Sequence, residues 1–305
     1  MPSRLATSLC GVSLKTPVIA SSGTYAYGVE LSDLVDLSSV GGIVVKGLSR
    51  EPMEGNPPPR IHETEGGMIN SIGLQNIGVR AFVRDKLPAL RGVDTAIFAN
   101  IFGNTVEDYV EVTRILEDSE GIAGYELNVS CPNTKHGGMF FSSDPELLAE
   151  VVSAVRLAAR RPLMVKLSPN VARIEPLALA AEQAGADAIS LINTFVALAI
   201  DPHQRRPRLG AGFGGLSGPA IKPIALRLVY EAARAVKIPV VGLGGIATGL
   251  DAAEFLIAGA SAVQVGTANF WDPNAPVRIA RELDQFLLQH NINRAADLVG
   301  TLKFT

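Results

Sequence analysis

The stretch GYELNVSCPNTKHGGMFFSSDPELLAEVVSAVRLAARRPLMVKLSP, residues 124–169, contains the unit on which the chain is built. It opens on an alternating apolar run, GYELNVSCP (124–132), and crosses a segment with helical spacing, SDPELLAEVVSAVRLAARR (143–161). It closes on a second apolar run, PLMVKLSP (162–169). Short apolar runs bounded by small or polar residues predict strands, and a longer segment filled with Ala, Leu and Glu predicts a helix. Asp144, followed by Pro145 and Glu146, suits a helix start, where a carboxylate can accept from free amides and oppose the positive end of the dipole.

The same rhythm recurs from end to end. Working outward, the remaining runs are PVIASSG (17–23), GGIVVKG (41–47), TAIFANIFG (95–103), DAISLINTF (187–195), PVVGLGGI (239–246) and AVQVGTANF (262–270). Further helices are predicted over 105–119, 173–185 and 218–236. Eight strands alternating with helices favour an α/β fold of the closed (β/α)8 TIM-barrel kind, with a doubly wound open sheet as the alternative. A single domain spanning 1–305 is expected. Two excursions exceed ordinary loop lengths, 47–79 after the second strand and 196–220 after the sixth, and are expected to act as lids or walls over the C-terminal face.

Hydrophobic residues make up 47% of the 305 and charged residues 19%, enough to bury a large core without the mark of disorder. The net charge of -3 and the pI near 5.9 leave no basic field for nucleic acid or anionic lipid. Mean hydropathy is +0.25, yet no apolar run approaches the roughly 18 residues of a membrane span. The N-terminal stretch lacks the pattern of a signal peptide. Two cysteines, Cys10 and Cys131, are too few for a disulfide framework and fit a reducing, cytoplasmic compartment.

In a barrel the C-terminal strand ends face one mouth, so the endings can be compared. They are polar: Ser21 and Ser22, Lys46, Asn100, Asn128 with Cys131, Lys166 with Ser168, Asn193 with Thr194, Gly244 with Gly245, and Gly266 with Thr267. Singly, such residues close turns or end strands in solvent; together they predict a pocket for a planar, heteroatom-rich ring and an anion. Each lysine follows apolar positions of a strand expected to be buried, so its charge must meet an anion or a polarised carbonyl. The glycine pairs after the seventh and eighth strands let backbone amides approach a phosphate, and a phosphate-bearing cofactor such as FMN would anchor there with its ring toward Lys166. No GxGxxG follows the first strand, so Rossmann-type dinucleotide binding has no support. His62, His136, His203 and His290 show no zinc-ligand spacing, and no metal is expected.

Cys10 reads as a small apolar filler. Cys131 stands just past strand four, in a loop whose glycines and paired phenylalanines, 140 and 141, could close over the mouth. A thiolate there could take a proton from carbon, with nearby cations lowering its pKa; covalent catalysis lacks a neighbouring histidine.

The motifs NVSCPNTKHGGM, GNPPPR, INSIGLQNIG, VKLSPNV, LINTF, GGLSGPAIKPIALRLVYE, IPVVGLGGIATG and VQVGTANF together resemble dihydroorotate dehydrogenase over essentially the whole chain. More narrowly, CPNTKHGGMFF and GNPPPR resemble the catalytic subunit of its class 1B, NAD-linked enzymes. The resemblance implies an FMN-bearing barrel that oxidises (S)-dihydroorotate to orotate in pyrimidine (UMP) synthesis. Cys131 would remove the C5 proton while hydride leaves C6 for the flavin. It implies an FMN set of Ser22, Lys46, Gly47, Asn100, Asn128, Lys166, Ile192, Gly218, Gly244, Gly245, Gly266 and Thr267. The implied substrate set is Lys46, Asn70, Ser71, Ile72, Gly73, Leu74, Asn128, Asn193 and Thr194, with Lys46 on the orotate carboxylate.

By the same resemblance, the chain would form a homodimer within a heterotetramer, beside a partner subunit that carries FAD and a 2Fe-2S cluster. Two isolated cysteines could not hold that cluster here. Cysteine as base argues against the quinone-linked class, which uses serine. The fumarate-linked class 1A and other FMN-dependent dihydropyrimidine dehydrogenases are the alternatives. FVALAID after INT (195–201) departs from the family pattern, being bulkier than expected. Readings of another kind are a phosphate-ligand binding module without turnover and a Schiff-base lyase at Lys166.

Overall fold

A computed structural model of the chain describes residues 3–129, 132–133 and 139–304. Its eight central strands are β1 (Val18–Ala20), β2 (Gly42–Val44), β3 (Ala96–Ile101), β4 (Gly124–Asn128), β5 (Leu163–Lys166), β6 (Ala188–Leu191), β7 (Val240–Leu243) and β8 (Ala262–Val265). They pair in parallel and in chain order, and β8 returns to β1 to close a barrel. The expected TIM barrel is thus observed, and the open-sheet alternative is excluded by that closure.

Alternation along each strand sorts the core into two layers. Val18, Ala20, Ile43, Val45, Ile97, Ala99, Leu163 and Val165 point outward and pack with the surrounding helices. Ile19, Val44, Phe98, Met164, Ala188, Val241 and Ala262 point inward and meet Leu9 and Leu14 of an N-terminal hairpin (Thr7–Leu9 paired with Val12–Leu14) that plugs the barrel floor. Burying one such aliphatic side chain contributes roughly 2 kcal/mol. Cys10, expected as buried filler, is half-buried at the tip of that hairpin. Its thiol reaches the Asp187 carbonyl at 3.1 Å, and burial, then the Asp187 charge, pushes its pKa up to about 11.

The predicted helices form as α1 (Val106–Glu117), α2 (Pro145–Ala158), α3 (Glu175–Gln183) and α4 (Lys222–Ala235), followed by α5 (Gly249–Ala258) and α6 (Ala275–Gln289). Asp144 caps α2 by accepting from the amides of Glu146 and Leu147, while Thr105 and Thr248 head capping boxes with Asp108 and Asp251. Each such cap contributes about 1 kcal/mol. Between β1 and β2 the helical rhythm fails. There the chain makes two short 3-10 turns, Val29–Leu31 and Leu37–Ser39, because Gly28 adopts a positive φ and the Asp36 side chain accepts from the Ser38 amide.

The two long excursions are not independent loops. Strand 61–64 pairs with 67–70, which pairs with 213–217, which pairs with 195–198, so both excursions merge into one antiparallel sheet beside the barrel mouth. Gly215 makes the approach possible: a Cβ there would fall 2.0 Å from Thr194 Oγ1.

One buried acid ties β4 and α1 together. Glu117 accepts from the amides of Arg160 and Arg161, from Arg160 Nε and from the Tyr125 hydroxyl. Burial alone would raise its pKa, but these donors hold it down at about 2. Since the folded value lies below the unfolded one of 4.5, this stabilisation is complete above pH 4.5 and is lost as pH falls toward 2. Urea unfolding at stepped pH should show the parent losing stability through that window. Glu117→Gln should be weaker by about 3 kcal/mol at pH 7 and flatter in acid; identical acid slopes would remove Glu117 from this role.

Candidate active site

The strand ends, the sheet of the two excursions and the glycine loops enclose a cavity of about 500 Å³ at the C-terminal mouth. That volume is in the range of small-molecule and cofactor sites. Its lining includes every described residue that the sequence reading placed in the FMN and substrate sets. From the strand ends come Ser22, Lys46, Gly47, Asn100, Asn128, Lys166, Ile192, Asn193 and Thr194. The excursions contribute Asn70, Ser71, Ile72, Gly73, Leu74 and Gly218, and the last two strands contribute Gly244, Gly245, Gly266 and Thr267. Cys131 and His136 lie outside the described residues. Ser168 does not join the lining; its hydroxyl accepts from the Asn170 amide and side chain. Phe141, expected over the mouth, is instead fully buried, edge-on against Tyr109 with ring centroids 5.6 Å apart.

At one end of the cavity, the backbone amides of Gly245, Gly266 and Thr267 have no hydrogen-bond acceptor among the described residues, and Gly244 lies beside them. Gly245 has φ +82°, and a Cβ would meet Lys222 Cβ at 2.8 Å and the Gly218 carbonyl at 2.9 Å, so only glycine leaves this concave backbone intact. Asp251 holds the loop from behind, accepting from the amides of Ala247 and Thr248 and from Lys222 Nζ at 2.6 Å. Burial would raise the Asp251 pKa, but the Lys222 contact and the amides outweigh it and lower it. Unpaired amides on a braced glycine loop make an anion cradle.

The two lysines have different surroundings. Lys166 Nζ lies 3.5 Å from Glu126 Oε1, so its anion is supplied by the protein. Lys46 has no carboxylate within 4 Å among the described residues, and burial lowers its pKa. Asn100 donates through Nδ2 to Glu126 and leaves Oδ1 buried with no partner among the described residues. The cavity therefore offers an amide cradle, an uncompensated ammonium and an orphaned acceptor, a set that suits a phosphate, a carboxylate and a ring N–H. No group of three metal-ligating side chains occurs among the described residues.

Sequence reasoning passed over Glu126, Ser190 and Gln264, which form a polar layer inside the barrel beneath the cavity. The signal was present in GYELN: if Tyr125 and Leu127 face the helices, period two puts Glu126 on the inner face with Asn128. It also passed over Met68, Ser217, Phe270 and Trp271 at the cavity wall and rim.

Residues 4–287 match the family described as dihydroorotate dehydrogenase. The chain belongs to that family. A relative from Solibacter usitatus, named "Putative dihydroorotate dehydrogenase A (fumarate)", is 72% identical over 304 residues and covers all of both chains. The catalytic subunit of dihydroorotate dehydrogenase B (NAD(+)) from Geobacter sulfurreducens is 53% identical, and that from Geobacter sp. strain M21 is 52% identical, each across 98% of both chains. A solved dihydroorotate dehydrogenase from Eimeria tenella, in complex with ferulenol, shares the fold with a TM-score of 0.82 at 23% identity, over 98% of this chain and 88% of that one. As a member of the dihydroorotate dehydrogenase family the chain is an oxidoreductase, and the family's activity is dihydroorotate oxidation in pyrimidine biosynthesis. No helix among the described residues is long and apolar enough to cross a membrane.

Gly245→Ala tests the cradle. It should cost about 2 kcal/mol in urea unfolding through overpacking and a disfavoured φ, and should weaken a phosphate-bearing ligand at least about tenfold by calorimetry. Unchanged affinity would place the phosphate elsewhere.

Proposed function

We propose that this chain is a cytoplasmic, single-domain enzyme that oxidises (S)-dihydroorotate to orotate with FMN in the mouth cavity and Cys131 as the proton acceptor. The observation that carries the reading is Lys46, a largely buried ammonium on the cavity wall with no carboxylate partner among the described residues. A dihydropyrimidine carrying a carboxylate supplies that partner; one lacking it leaves the charge uncompensated.

The fit of FMN rests on the amide cradle and the orphaned Asn100 Oδ1 described above. Gly244, Gly245, Gly266 and Thr267 would hold the phosphate, and Ser22, Lys46, Gly47, Asn100, Asn128, Lys166, Ile192 and Gly218 would flank the ring and its tail. FMN, when bound, supplies the hydride acceptor. The substrate would lie against it, with its carboxylate on Lys46 and its ring amides on Asn70, Asn128 and Asn193. Residues 71–74 and Thr194 would close over it and exclude water. A thiolate at Cys131 would take the C5 proton, and Lys166 would supply positive charge beside the ring.

For the electron acceptor we favour the NAD-linked path through a partner subunit carrying FAD and a 2Fe-2S cluster, in a heterotetramer around a homodimer of this chain. CPNTKHGGMFF and GNPPPR support it, as do the names of the Geobacter relatives. The name of the Solibacter relative favours a second reading in which fumarate accepts electrons directly.

Anaerobic addition of dihydroorotate should bleach the bound flavin. Reoxidation trials with fumarate, NAD and quinone on the isolated chain then decide the class: fumarate turnover without a partner would overturn the NAD-linked reading. Cys131→Ala should keep FMN but bleach about 100-fold more slowly or worse; bleaching at the parental rate would dismiss the thiol as base. Lys46→Ala should weaken orotate about 30-fold or more. Because burial lowers the Lys46 pKa, orotate affinity in the parent should decline with rising pH already below 10.5, and Lys46→Ala should lose that dependence. Equal binding of dihydrouracil and dihydroorotate would contradict the carboxylate assignment.

A further inference from the structure

Glu126 lies inside the barrel with no solvent exposure, yet it belongs to neither the cavity lining nor the apolar floor. Its Oε1 accepts from Asn100 Nδ2 on β3 at 2.7 Å and lies 3.5 Å from Lys166 Nζ on β5. Its Oε2 accepts from Ser190 Oγ on β6 at 3.0 Å and from Gln264 Nε2 on β8 at 2.6 Å. Four strands thus converge on one carboxylate from β4. Packing does not require it: the layer below closes the barrel with Ile19, Val44, Phe98 and Met164, and replacing a buried ionic cluster with hydrocarbon is often neutral or stabilising. A carboxylate kept there has another task.

Its neighbours indicate which task. Of the groups Glu126 holds, Asn100 and Lys166 are also on the cavity wall, while Ser190 and Gln264 are not. A carboxylate only accepts, so it draws the Asn100 NH2 toward itself and turns Oδ1 away, buried and with no partner among the described residues. It also sets a negative charge 3.5 Å from the Lys166 ammonium. The amide and the cation on the wall are therefore held by a residue that does not itself line the cavity.

We propose that Glu126 is a positioning residue that fixes the sense of Asn100 and the placement of Lys166, and by its charge makes the bound cofactor ring harder to reduce. This inference rests on the FMN reading above. An anion behind Lys166 offsets part of the positive field that would favour electrons on the ring.

The test is the two-electron midpoint potential of the FMN-loaded chain, measured against a reference dye without oxygen, together with FMN affinity. Glu126→Gln keeps the shape and removes the charge. It should shift the reduction equilibrium at least about tenfold toward the reduced form, a rise of ~30 mV for a two-electron couple, and weaken FMN because Asn100 is no longer locked. Glu126→Asp, which keeps the charge, should stay near the parental potential. If Glu126→Gln does not fold, Ser190→Ala combined with Gln264→Met strips neutral donors from the carboxylate and should move the potential the opposite way. A folded Glu126→Gln chain that is merely less heat-stable, with parental potential, makes the residue purely structural and overturns the inference. So does an unmoved potential in the double variant. A parent chain that takes up no FMN overturns the cofactor reading itself, which separates the two failures.

Discussion

The structure depends on the two-residue alternation of a closed parallel barrel, which allows each strand only a few inward positions. Those positions are filled from the floor upward by change of chemistry. Hydrocarbon from Ile19, Val44, Phe98 and Met164 seals the bottom, and the Glu126 layer follows. Above it the strand ends open into the cavity. The outward positions pack mostly aliphatic side chains against the helices, so much of the stability of the barrel lies outside its polar centre.

This division of labour lets the mouth hold groups that are unfavourable for folding alone. A largely buried ammonium at Lys46, and an Asn100 acceptor and glycine-loop amides without partners among the described residues, are groups whose desolvation costs free energy unless a ligand or water pairs them. They are tolerated because the scaffold around them is over-determined: Asp251 braces one glycine loop from behind, and the merged sheet of the two excursions contributes Met68, Asn70 and Ser217 to the lining. A ligand that satisfies all of these groups recovers those costs on binding, which is the physical basis for its selectivity.

Membership in the dihydroorotate dehydrogenase family makes the chain an oxidoreductase, and the mouth of its barrel offers a largely buried ammonium at Lys46 with no carboxylate partner among the described residues. The acceptor of the electrons is a different matter. The relatives' names divide between fumarate at 72% identity and NAD at about 50%. Phe270 and Trp271, about half exposed, are large apolar groups in the cavity lining.

The strands and helices were legible in the sequence because local signals agree with the fold: short apolar runs rich in Val and Ile, a cap such as Asp144, and alternation within GYELN. The polar strand endings were legible too, since a barrel sends every C-terminal end to one mouth whatever the loop lengths. Three features came only from tertiary structure. The excursions 47–79 and 196–220 pair with one another, and a contact between segments some 145 residues apart leaves no local trace. Phe141 turned into the outer layer because Tyr109 offers an edge-on partner there. The partner of Lys166 was decided by barrel closure, which brings β3, β4, β5, β6 and β8 around a single carboxylate; sequence alone set the residue types, and only the closed ring set which charges meet.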